Sequence, residues 1–160
     1  MKHDSYQESC PVCRTNSEGV PGKGGMIWQD DLWFVRHAPS PAGLAGWTML
    51  NAQRHVQGPA HFNDGEAAAF GPVLRHITRI LEEVTGAPRI YIVAFGESAP
   101  HMHSHLIPRY SDLPPEHTAF GVADLMREVT NGTLTGVPNQ DALAMAARIS
   151  DALKVSPPPA

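Results

Sequence analysis

The sequence predicts an α+β domain: an antiparallel sheet of about five strands with one long helix packed on it, followed by a helical C-terminal extension. Three observations carry that expectation. Short strand-like runs recur between turn signals at residues 26–35, 47–50, 89–95 and 101–107. A long helical periodicity runs from Asn63 to Thr85, and beyond Arg109 the composition shifts to loop and helix formers. The expected organisation is a domain over residues 1–110, with its own N-terminal segment, and an extension over 111–160.

Residues 1–25 are polar and rich in turn formers, with VPGKGG closing the segment at Gly25. That glycine-rich stretch lacks the strand and helix that frame a phosphate-binding loop. MIWQ (Met26–Gln29) and LWFV (Leu32–Val35), joined by two aspartates, read as a hairpin. Arg36–Gly46 is a loop with two prolines and two glycines, and Trp47–Leu50 is the third strand. Asn63 and Glu66 form a capping-box pattern at the start of the long helix. Ala67, Phe70, Val73, Leu74, Ile77, Ile80, Leu81 and Val84 then follow mostly at helical spacing, and Gly86 stands where a C-cap glycine belongs. Pro72 inside this run predicts a kink. Strands follow at Arg89–Phe95 and His101–Ile107, separated by the turn GESAP. In the extension, Leu113–His117 is a loop, Ala119–Val129 a short helix and Asp141–Lys154 a longer one, and VSPPPA reads as a disordered tail.

The chain of 160 residues carries 42% hydrophobic and 18% charged residues, enough for a sizeable core. A net charge of −4 provides no general electrostatic reason to bind nucleic acid or a membrane. No apolar run approaches the roughly 20 residues of a membrane span, and MKHDSYQESCPVCR has no apolar signal region. The two cysteines, Cys10 and Cys13, share one CxxC, so no disulfide framework exists and a cytoplasmic protein is expected.

Histidine is the unusual component, with nine residues, three of them in HMHSHLIPR. Strand side chains alternate between faces, so His101, His103 and His105 are expected on one side, with Met102, Ser104 and Leu106 packed on the other. Imidazoles in that array suit a metal ligand, a general acid or base, or a nucleophile. Cys10-Pro-Val-Cys13 is open to three readings: a redox pair, zinc ligands, or two incidental cysteines. Two thiolates do not complete a structural zinc site, so a zinc reading needs two ligands from elsewhere.

HMHSHLI is similar to the His-x-His-x-His signature of the histidine triad family. GESAP resembles the family's Gly-Gln-Ser turn, and AGWTMLNAQRHV (Ala45–Val56) resembles its strand ending in Lys/Arg-His-Val. The likeness spans about Ser9–Tyr110. It implies a nucleotide hydrolase of the dinucleoside polyphosphate or nucleoside phosphoramidate type, or a nucleotidyltransferase, working through a nucleotidyl-histidine intermediate. A nucleotide-binding module with little turnover is the non-enzyme alternative. By that resemblance His103 is the nucleophile, His105 assists at the phosphate oxygens or in proton transfer, and Ser98 donates to the phosphate or leaving group. His37, in the ribose loop, and Arg109, reaching a distal phosphate, are expected substrate contacts. Family members with an N-terminal CxxC imply structural zinc held by Cys10, Cys13, His55 and His101, and the family implies a homodimer. Three positions depart from the pattern: Arg36 stands where the ribose-binding acid belongs, Trp47 replaces a histidine, and Glu97 replaces the glutamine of the turn.

Overall fold

The computed structural model describes residues 2–18, 25–97 and 99–159. The elements are α1 (Pro11–Glu18), β1 (Met26–Gln29), β2 (Trp33–His37), β3 (Thr48–Ala52), α2 (Asp64–Thr85), β4 (Ile90–Val93), β5 (His103–Pro108), α3 (Asp124–Asn131) and α4 (Asn139–Val155). The five strands form one antiparallel sheet in the order β1-β2-β3-β5-β4.

Strand alternation divides the sheet residues between two cores. Trp33, Val35, Leu50 and Leu106 face α2 and α4, where Ile77, Leu81, Ile149 and Leu153 complete the main cluster. Trp47 and Ile107 face the other way, onto a smaller cluster with Leu113, Val122 and Leu125 from the C-terminal segment. The extension therefore contributes to both faces.

The capping box forms as its residues predict. Asn63 Oδ1 accepts from Glu66 N–H at 2.9 Å, and Glu66 Oε2 accepts from Asn63 N–H at 2.9 Å. Gly86 closes α2 in the left-handed conformation at φ 71°. α2 continues through Pro72 without a break.

Most strand ends shift by one or two residues from the sequence expectation, with β2 running on to His37 and β4 shortened to Ile90–Val93, and four differences matter more. The segment read as polar and turn-rich contains α1, a short helix opened by Pro11 whose buried residues are Val12 and Cys13; two buried positions leave no apolar period to read. The last strand begins at His103, not His101. The helix expected over Ala119–Val129 divides into a 3-10 turn, Ala119–Ala123, and α3. The tail expected to be disordered packs on α2, where the Ser156 carbonyl accepts from His76 Nε2 at 2.8 Å and Pro158 is buried. Among the described residues, no helix is long and apolar enough to cross a membrane.

Candidate active site and metal centre

β5 carries His103 and His105 on the face away from α2, with ring centroids 5.5 Å apart. His103 Nδ1 lies 2.6 Å from the His101 carbonyl, which can only accept, so Nδ1 holds the proton and Nε2 keeps its lone pair. For His105 the arrangement is reversed. Trp47 Nε1–H donates to His105 Nδ1 at 3.0 Å, so the neutral ring carries its proton on Nε2. Burial, with lesser contributions from His103 and Arg36, pushes the His105 pKa down to about 4 and keeps the ring neutral near pH 7. One strand face thus offers a nitrogen lone pair at His103 and an N–H donor at His105.

Cross-strand pairing builds the surroundings. Arg36 pairs with Met49, and Met49 with His105; Phe34 pairs with Asn51, and Asn51 with His103. Asn51 is fully buried; its amide nitrogen donates to Asn16 Oδ1 at 3.0 Å, while its own Oδ1 has no partner. The Arg36 guanidinium is buried with Nε unpartnered, and desolvation lowers its pKa to about 10. Gly46 precedes Trp47 at φ 80°, where a Cβ would meet Thr85 Cγ2 at 2.8 Å, so the residue that aims the indole has to be glycine.

His101 stands apart from the other two. It lies in the turn before β5 and directs Nδ1 at Cys10 Sγ (3.5 Å) and Cys13 Sγ (3.4 Å). Cys13 Sγ is also 3.3 Å from His55 Nδ1, and the ligand atoms of all four residues lie within 4.8 Å of one another. A tetrahedral zinc with bonds of about 2.3 Å to sulfur and about 2.0 Å to nitrogen separates an S and an N ligand by about 3.5 Å, so the spacing fits. The outer contacts fit as well. His101 Nε2–H donates to the Ala52 carbonyl at 2.8 Å, which leaves Nδ1 free as a ligand. His55 is held through its neighbours: its own N–H donates to Ser5 Oγ at 2.7 Å, and Arg54 binds buried Glu66 in a two-point ion pair at 2.9 and 2.7 Å. Burial pushes the Cys13 thiol up from its ordinary value, and a nearby divalent cation is what stabilises such a thiol as thiolate.

No protein-family model matches the sequence, and no curated protein matches it. Solved structures do. A Hit-like protein involved in cell-cycle regulation from Bartonella henselae aligns over 94% of this chain and 100% of its own, with a TM-score of 0.66 at 14% identity. A hypothetical histidine triad nucleotide-binding protein from Sulfolobus tokodaii aligns over 91% and 93%, with a TM-score of 0.66 at 14% identity. A zinc-bound histidine triad family protein from Mycobacterium smegmatis aligns over 92% and 98%, with a TM-score of 0.59 at 15% identity.

The fold is the histidine triad fold.

Within that triad fold the remaining expected residues take different places. His37 is fully buried, with Nε2 accepting from Gly46 N–H at 2.8 Å and Nδ1 donating to the Ala38 carbonyl at 2.9 Å. Both ring nitrogens serve the protein, so His37 holds the β2–β3 connection and does not present itself to a ligand as expected. Arg109 follows the end of β5, six residues and about 20 Å of extended chain from His103, and its guanidinium donates to the Tyr110 carbonyl at 3.1 Å. Its position does not bring it to the triad. Ser98 lies outside the described residues. The Glu97 carboxylate accepts from Gly96 N–H at 3.0 Å, and main-chain donors hold it below its ordinary range. Trp47, by contrast, reaches His105, a role that a tryptophan opening a strand does not announce in sequence.

Proposed function

We propose that the protein is a nucleotide phosphohydrolase, of the dinucleoside polyphosphate or nucleoside phosphoramidate type, working through a nucleotidyl-histidine intermediate on His103. The observation that carries this proposal is the pairing of opposite tautomers on one strand: a lone pair at His103 Nε2 beside a donor at His105 Nε2. The His103 nitrogen attacks phosphorus and forms a P–N bond while the bond to the leaving group breaks, its electron pair departing with that group, which takes a proton from solvent. Water then attacks phosphorus, the P–N bond breaks with its pair returning to His103 Nε2, and the surplus proton goes to solvent. Splitting one displacement in two lowers each barrier. His105 donates to the phosphoryl oxygens, where negative charge builds, and Ser98 adds a second donor.

Zinc held by Cys10, Cys13, His55 and His101 is structural in this proposal, because four protein ligands leave no open position. It ties α1 to the turn before β5 and so fixes the His101 carbonyl that orients His103. Free thiols used as ligands suit a reducing, cytoplasmic compartment. Homodimerisation is supported by the half-exposed Ile92 on edge strand β4 and by the fully exposed Phe120.

The test is a panel of adenylylated, guanylylated and dinucleoside polyphosphate compounds. The wild type turns over at least one of them, and His103→Ala loses at least about a thousandfold while keeping its circular dichroism spectrum. Unchanged activity in that variant, or binding across the panel with no turnover, contradicts the proposal.

A further inference from the structure

A cavity of about 180 Å³ opens beside His105 and is walled by Trp47, Val93, Phe95, Ala123 and Met126. All of these walls are apolar except for the ring nitrogens of His105 and Trp47. The Trp47 Nε1–H is already committed to His105 Nδ1 at 3.0 Å. Among the described residues that line it, His105 Nε2–H is therefore the one side-chain donor left. The size is informative: an apolar protein cavity of about 150 Å³ is enough to hold a benzene ring. Phe95, half exposed at its mouth, lies with its ring centroid 6.3 Å from that of His105. Two of the walls, Ala123 and Met126, come from the C-terminal segment, which the hydrolytic chemistry otherwise leaves without a part.

We propose that this cavity is a subsite for an uncharged, ring-sized apolar group, aromatic or cyclic aliphatic, carried by the same substrate whose phosphorus is presented to His103. The inference rests on the phosphoryl reading of the histidines. The His103 and His105 rings are 5.5 Å apart, so a ring in the cavity connects to a phosphorus at His103 through a short linker past the His105 N–H. A second phosphate or a sugar would strip its hydration against Val93, Phe95 and Met126 with a single donor to replace it, which excludes polar groups from this position. The C-terminal segment thereby selects among phosphorus compounds by what is attached to them.

The experiment compares phenyl phosphate with methyl phosphate, neither of which needs to be turned over. Binding to the zinc-loaded 160-residue chain is followed by NMR at the Met126 methyl group and the His103 ring. Ala123 is exposed, so Ala123→Phe fills the cavity from its rim without disturbing a core position. Phenyl phosphate is expected to bind at least about tenfold more tightly than methyl phosphate and to shift both signals. In Ala123→Phe that preference disappears while methyl phosphate affinity stays as in the wild type. Equal affinity for the two compounds in the wild type overturns the subsite, as does a preference that survives in Ala123→Phe. Benzyl alcohol separates the two proposals. If it shifts Met126 while neither phosphate ester moves His103, the phosphoryl reading fails and the apolar site stands. If it leaves Met126 unmoved while the esters shift His103, the subsite fails and the phosphoryl reading stands.

Discussion

A neutral imidazole carries one proton, so a hydrogen bond that claims one ring nitrogen decides the role of the other. In this chain a carbonyl claims the His103 Nδ1 proton and an indole N–H occupies His105 Nδ1. Two chemically identical side chains, two residues apart, thereby become a base and a donor. The cost of keeping His105 neutral has a pH signature. Its pKa is about 4 in the folded protein against roughly 6.5 when unfolded. Between those values the unfolded chain binds the extra proton, so stability is fully present above about pH 6.5 and is lost as pH falls toward 4. Denaturant titration of zinc-loaded protein at pH 7 and pH 5 should show a loss on the order of 2 kcal/mol from this residue, and His105→Gln should remove most of that slope. An unchanged slope in the variant assigns the pH dependence elsewhere. The alternation of the triad was legible in the sequence, because period two in a strand puts His103 and His105 on one face. The tautomers were not, because they depend on partners at Trp47 and at a main-chain carbonyl.

At the scale of elements, the cluster of four candidate ligands joins pieces that secondary structure alone leaves apart. Cys10 caps the start of α1, His55 follows β3, and His101 sits in the turn before β5. α1 has only Val12 and Cys13 buried and is too short to persist on its own; Asn16, which donates to the Ala52 carbonyl at 2.8 Å, holds it to β3, and the proposed zinc would be its second anchor. Protein purified without chelator should contain about one equivalent of zinc. Chelation or Cys13→Ser should lower the melting temperature and expose the α1 amides to hydrogen exchange while α2 stays protected. Less than about half an equivalent of zinc contradicts the account. The long helix was legible to the residue at both ends, since capping box and C-cap glycine are local signals. α1 was not, because a polar helix anchored by ligands has no periodicity to reveal it. The same cause misplaced the start of β5: a histidine pattern continued through His101, but that residue leaves the strand to reach the cysteines.

For the whole molecule, the C-terminal extension is part of the body of the fold. Ala146, Ile149 and Leu153 of α4 share the main cluster with α2 and the sheet, whereas Leu143 on the same helix is 39% exposed. Ile149→Ala should cost about 2–5 kcal/mol and lower the melting temperature by roughly 10 °C. Leu143→Ala should cost well under half of that. Comparable losses for both would mean that α4 packs differently. Of the face expected for α4 from its spacing, Ala146, Ile149 and Leu153 are buried, but Leu143 is exposed and Ala142 takes its place; the docking site on α2 and β1 was not readable at all. Small alanine-rich faces fit against many surfaces, and the choice among them is made by three-dimensional packing.

The central claim is that His103 forms a covalent bond to phosphorus, and the most direct measurement is intact-protein mass spectrometry after rapid acid-free quenching of a turning-over reaction. The expected result is a nucleotidyl mass increment that maps to His103, is lost in His103→Ala and is released by acid, as a P–N bond requires. Turnover with no increment on any histidine, or an increment that persists in His103→Ala, would contradict it.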